Sequence, residues 1–214
     1  FSILKDEKID GILLAGDVFD RAVPPIEAIE LWDSIITRLA MDYRVPLFVV
    51  SGNHDGAERL EVGRSMLSQS GIHIWGSPHH ALQPFEFEGA DGKVAICPMP
   101  FSESRRIGDA LGFATPSLET GLNLHNYDQM YQAWSNHLRN QVPKGMRSIA
   151  ISHAFVMGGD VGGSERTLSI GGSEQVSPQV FKDFHYTALG HLHGPQRMGA
   201  DYIRYSGSPL KYSF

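Results

Sequence analysis

IDGILLAGDVFDR, residues Ile9–Arg21, decides how this chain is read. The run over Ile9–Ala15 is apolar enough for a buried strand, and it stops at Gly16, where GDVFDR begins. The same sequence of events occurs twice more. VPLFVV leads into GNHD at Gly52–Asp55, and YTAL leads into GHLH at Gly190–His193. Open α/β sheets build their sites on loops at the C-terminal ends of strands. Three such loops here carry carboxylate, amide and imidazole donors. That set suits a pair of divalent metals such as Mn²⁺ or Fe²⁺, and metal pairs hydrolyse phosphate esters.

Working outward, the first half alternates strand and helix. A helix is expected from Pro24 and Pro25 to about Met41, because Pro suits a first turn and IEAIELWDSIITRL has apolar residues at helical spacing. A strand over Val45–Val50, a helix around Glu58–Ser70 and a strand at Ile72–Trp75 complete a βαβαβ pattern, which predicts a parallel sheet in an α/β fold. Phe85–Glu88 and Lys93–Pro98 alternate around GADG and predict a hairpin. A short helix within MPFSESRRIGDALG comes next, then a helix over Leu122–Gln141. Arg147–Ser152 reads as a strand that delivers His153, and Tyr186–Leu189 and Tyr202–Tyr205 as two more. The Gly-rich segment AFVMGGDVGGSERTLSIGGSEQVSP leaves directly from His153 and reads as a loop that contacts substrate or, alternatively, as a disordered surface loop.

Composition bounds the rest. The 214 residues are 42% hydrophobic and 20% charged, ordinary for a globular protein with a sizeable core. No apolar run is long enough to span a membrane, and no secretory signal pattern is visible, so a cytoplasmic location is expected. The single cysteine, Cys97, lies in the strand-like VAICPMP and is expected to be a buried structural thiol. A net charge of −6 argues against broad binding of nucleic acid by counterion release. It leaves room for a nucleic-acid enzyme, because bound metals supply local positive charge.

Asp17 is the expected bridging ligand, since a carboxylate has two oxygens to share between cations. Asp20, three residues on, either orients a histidine or caps the following helix. Arg21 either touches a phosphate or forms a surface ion pair. Asn53 offers a hard carbonyl oxygen, and His54 beside it points elsewhere, suited to protonate a leaving oxygen. Asp55 is expected to fix the turn. His191 and His193, at i and i+2 of an extended segment, would face the same way. His153 ends a strand beside these motifs and is read as a ligand. His79 and His80, after Pro78, read as surface residues.

The order GDxxDR, GNHD, a strand-ending histidine and GHxH resembles the calcineurin-like metallophosphoesterases. Narrower features resemble that family's branch of DNA double-strand-break repair nucleases: GDVFD with a following proline pair, ALGHLH with PQ after it, and YSGSPLKYSF at Tyr205–Phe214. The resemblance implies a four-layer α/β/β/α sandwich and two Mn²⁺ ions. Asp17 would bridge them, with Asn53, His153 and His191 on one ion and His193 on the other, and His54 as the catalytic histidine. It further implies an exonuclease or endonuclease acting on DNA, an SMC-like ATPase subunit as partner, a homodimer and no membrane. The family's D-x-H motif has no counterpart here. The chain is therefore expected to be one phosphoesterase domain over residues 1–214, without its first strand and its C-terminal cap. Two rival readings are a general phosphoesterase acting on nucleotides or phosphoproteins, and a silent scaffold for an ATPase.

Overall fold

The computed structural model describes residues 2–113, 122–160 and 174–209. A short helix, α1 (Ser2–Asp6), precedes β1 (Ile12–Ala15). Helix α2 (Ile26–Arg38) starts just after the proline pair: Pro25 is its N-cap residue, and the amides of Ala28 and Ile29 donate to the Pro25 carbonyl. A π-helical turn at Leu39–Tyr43 ends it, with Arg44 left-handed at φ 54°. β2 (Leu47–Val50) and β3 (Ile72–Trp75) lie parallel beside β1 in the order β1-β2-β3. The single helix expected over Glu58–Ser70 is in fact three short pieces: α3 (Ala57–Leu60), α4 (Arg64–Leu67) and a 3₁₀ turn. Gly63, at φ 76°, is the breaker that the periodicity concealed.

β4 (Phe85–Gly89) and β5 (Gly92–Met99) form the expected hairpin, with Gly89 paired to Gly92 across the turn. α5 (Ser104–Ala110) and α6 (Tyr127–Arg139) come after it. α6 begins later than its apolar pattern suggested, because Asn126 accepts the Gln129 amide at 3.0 Å and fixes the start. β6 (Arg147–His153) runs through the histidine itself. The flanks of the Gly-rich segment pair as β7 (Phe155–Val156) and β8 (Gln175–Val176); its middle, 161–173, lies outside the described residues, as does 210–214 of YSGSPLKYSF. β9 (Tyr186–Gly190), β10 (Gln196–Met198) and β11 (Ala200–Tyr205) complete a mixed sheet of order β10-β11-β9-β6-β5-β4. No apolar run announces β10, a three-residue edge strand with a register shift.

Alternation along the strands explains the layers. Leu13, Ala15, Phe48 and Val50 pack with the second sheet's core. Ile12, Leu14, Leu47, Val49, Ile72 and Ile74 pack with Ile36, Leu39 and Leu60 of the outer helices. A sheet apolar on both faces needs cover on both, and here helices cover one side and a second sheet the other. Behind that second sheet, Met130, Tyr131, Trp134 and Leu138 of α6 meet Ile96, Cys97, Ala150 and Phe181. This is the expected α/β/β/α stacking. Cys97 is fully buried and burial pushes its thiol up to about 12, in keeping with a structural role. No helix among the described residues is long and apolar enough to cross a membrane.

Candidate metal centre

The site forms where β1, β2, β6 and β9 end together. His153 lies in the core with no exposed surface. Its Nδ1–H donates to the Ala15 carbonyl at 2.8 Å, tying the second sheet to the first. A neutral ring that donates through Nδ1 keeps a lone pair on Nε2, and metal-ligating histidines are commonly oriented this way. That Nε2 lies 2.8 Å from Asn53 Oδ1 and 3.5 Å from Asp17 Oδ2. His191 Nδ1 lies 3.1 Å from the same Asn53 oxygen.

These spacings fit one hard cation. Metal–ligand bonds of about 2.1 Å place neighbouring donors of an octahedral ion about 3 Å apart. A lone pair, an amide oxygen and a carboxylate oxygen turned toward each other repel unless positive charge lies among them. Burial pushes His191 down to about 3, so its ring is neutral and has a lone pair of its own. Among the described residues, no three His, Cys, Asp or Glu side chains form a cage by themselves. Asn53 is the donor common to both rings.

Glycine permits the convergence. A Cβ on Gly16 would overlap the His153 ring, one on Gly52 the Asp17 carboxylate, and one on Gly190 the Ala15 carbonyl. Backbone strain gathers at the same place: Asp17 has φ 50° and His191 φ 113°, both rare for residues with a side chain. The strain at His191 corrects one expectation. GHLH is not extended, because β9 ends at Gly190 and Leu192 turns into the core, so the shared direction of His191 and His193 does not follow from strand geometry. His193 is still near enough to act on His191 electrostatically, and its carbonyl accepts the Ser208 amide at 2.9 Å.

Asp55 fixes the turn, as expected, and does more. One carboxylate oxygen accepts the Gly52 amide at 2.8 Å and the Val18 amide at 3.2 Å, and the other accepts the Phe19 amide at 2.9 Å. It thus joins the loop carrying Asp17 to the loop carrying Asn53. Burial raises its pKa, the Gly52 and Phe19 amides oppose that, and the charge of Asp17 adds to the rise. Asp17 Oδ1 in turn accepts the His54 amide at 3.0 Å, leaving Oδ2 toward His153.

His54 Nδ1 stands 4.0 Å from Asp20 Oδ1, beyond hydrogen-bonding distance. Asp20 is exposed and does not cap α2, whose N-cap is Pro25. Arg21 sits on the exposed rim with its guanidinium 3.4 Å from Asp20. Two aromatic walls lie outside the three donor motifs, Phe155 at the start of the Gly-rich segment and Phe101 just after β5. Phe101 meets His153 edge-on at 6.2 Å, and Phe155 lies 5.6 Å from His191. Both come just after strand ends in the sequence, a position that could have marked them.

The model of the calcineurin-like phosphoesterase family matches residues 1–195. The chain is 33% identical over 216 residues to the SbcD subunit of the nuclease SbcCD from Bacillus subtilis (strain 168), covering 100% of this chain and 54% of that protein. It is 32% identical over 211 residues to the protein of the same name from Staphylococcus epidermidis (strain ATCC 12228 / FDA PCI 1200), covering 99% and 53% respectively. The chain therefore spans about half the length of these curated relatives.

Proposed function

This chain belongs to the calcineurin-like phosphoesterase family, and from that premise we propose that it is the catalytic core of a metal-dependent DNA nuclease. The observation that carries the reading is the meeting of Asp17, Asn53, His153 and His191 at strand ends from both sheets. Its likeness to two nuclease subunits along nearly its whole length supports DNA as substrate. Asp17, Asn53, His153 and His191 would hold one divalent ion. Asp17 would reach a second, shared with His193, and Mn²⁺ suits this mixture of oxygen and imidazole donors. When bound, such ions polarise the phosphodiester and lower the pKa of attacking water.

The chain's own side chains do the rest. His54, held by its backbone at the Asp17 carboxylate, delivers a proton to the leaving 3′ oxygen. Asp20 needs to move less than about 1 Å toward His54 to hydrogen-bond it. Arg21, on the rim, contacts a neighbouring phosphate. The partners proposed with this activity are DNA, an SMC-like ATPase of the SbcC type and a second copy of the chain, as in a repair and recombination complex.

Mn²⁺-dependent cleavage of linear duplex DNA, set against turnover of a phosphomonoester, tests the reading. Faster diester cleavage is expected; a preference for the monoester would favour a general phosphoesterase. His54→Ala should lower turnover by roughly 10²–10⁴-fold with Mn²⁺ content unchanged. Loss of metal in that variant would contradict the role given to His54.

A further inference from the structure

A second buried carboxylate lies outside the donor cluster. Glu61, at the end of α3, has a side chain only 6% exposed. Its Oε1 accepts the Gly76 amide at 2.7 Å and the Ser77 amide at 3.2 Å, and its Oε2 lies 2.8 Å from His80 Nδ1. A carboxylate taken out of water needs donors in the water's place, and here two amides and an imidazole supply them. His80 is exposed, as the sequence suggested, yet it is anchored to this buried group.

The turn that Glu61 grips leads to the site. The Gly76 carbonyl accepts the Ser51 hydroxyl at 2.8 Å, and the Ser51 amide donates to the Trp75 carbonyl at 3.0 Å. The Ser51 carbonyl accepts the Phe101 amide at 2.9 Å, and Phe101 is the ring set edge-on to His153. A Cβ on Gly76 would overlap the Ala57 carbonyl, so α3 lies flush against this turn. Asp55 thus fastens the segment carrying Asn53 and His54 directly, and Glu61 reaches it through Gly76 and Ser51. Asp55 holds it to the Asp17 loop, and Glu61 holds the end of α3 to the exit of β3.

We infer that Glu61 is a positioning residue for a divalent cation at this centre, acting through Gly76 and Ser51 on the segment that bears Asn53 and His54. The inference rests on the phosphoesterase reading of the site. It attributes to Glu61 a function beyond stability: the ligand loop is preorganised before metal arrives, and affinity for the ion reflects that preorganisation.

Hydrogen exchange of residues 51–56 in metal-free protein, together with calorimetric titration of Mn²⁺, tests it. Glu61→Ala should speed exchange in 51–56 about tenfold, leave exchange in α6 unchanged, and weaken Mn²⁺ binding at least fivefold. Glu61→Gln keeps an oxygen for the Gly76 amide and should bring both readouts back to within twofold of the unsubstituted chain. Unchanged exchange in Glu61→Ala, or faster exchange with unchanged Mn²⁺ affinity, would overturn the inference. Should Glu61→Ala fail to fold, Ser51→Ala decides: it cuts the link to Gly76 and should move both readouts the same way, and no change would refute the link. If the unsubstituted chain binds no Mn²⁺, the metal reading itself fails, while the exchange arm still judges whether Glu61 holds the loop.

Discussion

The two sheets hold their halves of the site by different means. On the second sheet, His153 ends a seven-residue strand backed by Trp134, Tyr131 and Phe181, all buried within one large apolar cluster. On the first sheet the apolar cluster is smaller, and the loops beyond its strands are held by carboxylates that accept backbone amides. Packing is spread over many contacts and survives the loss of one. A polar clamp is local, and its loss leaves buried amides unsatisfied. The comparison teaches that fold stability and site geometry should respond to different residues.

The largest effect on stability should come from the packed half. Trp134→Ala removes a fully buried ring and should cost about 3–5 kcal/mol in urea unfolding. Mn²⁺ affinity of the protein that remains folded should stay within about threefold, since the polar clamps are untouched. Asp55→Ala should cost less, about 2–3 kcal/mol, yet weaken Mn²⁺ binding more than tenfold, because the Asp17 and Asn53 loops separate. Asp55→Asn retains one acceptor oxygen and should lie between, near 1 kcal/mol. Equal losses of stability and affinity in Trp134→Ala and Asp55→Ala would break the distinction. The smallest effect concerns Cys97. Its buried thiol, pushed up to about 12, should resist alkylation near neutral pH in folded protein and react fully in urea. Labelling without denaturant would mean the second-sheet core opens locally.

Much of this was legible in the sequence because the relevant signals are local. An apolar run that ends in Gly-Asp, Gly-Asn-His, Ser-His or Gly-His states both a strand and the donor at its mouth, so β1, β2, β6 and β9 and the Asp17, Asn53, His153 and His191 cluster could be anticipated. Long-range hydrogen bonds leave no such trace. Nothing near Glu61 in the chain announces Gly76, and the span of Asp55 to Val18 and Phe19 crosses more than thirty residues. The break at Gly63 was hidden because one glycine within an apolar period is compatible with a continuous helix. Strand alternation does not carry from His191 to His193, because alternation holds only within a strand and the positive φ of His191 ends it.

The central claim is that Asp17, Asn53, His153 and His191 surround one cation-binding point. Crystals of this chain soaked in Mn²⁺ and measured at the manganese absorption edge test it directly. The account predicts an anomalous peak within coordination distance of Asp17 Oδ2, Asn53 Oδ1, His153 Nε2 and His191 Nδ1. A well-ordered site with no peak, or a peak bound elsewhere with these four atoms at unchanged spacings, would contradict it.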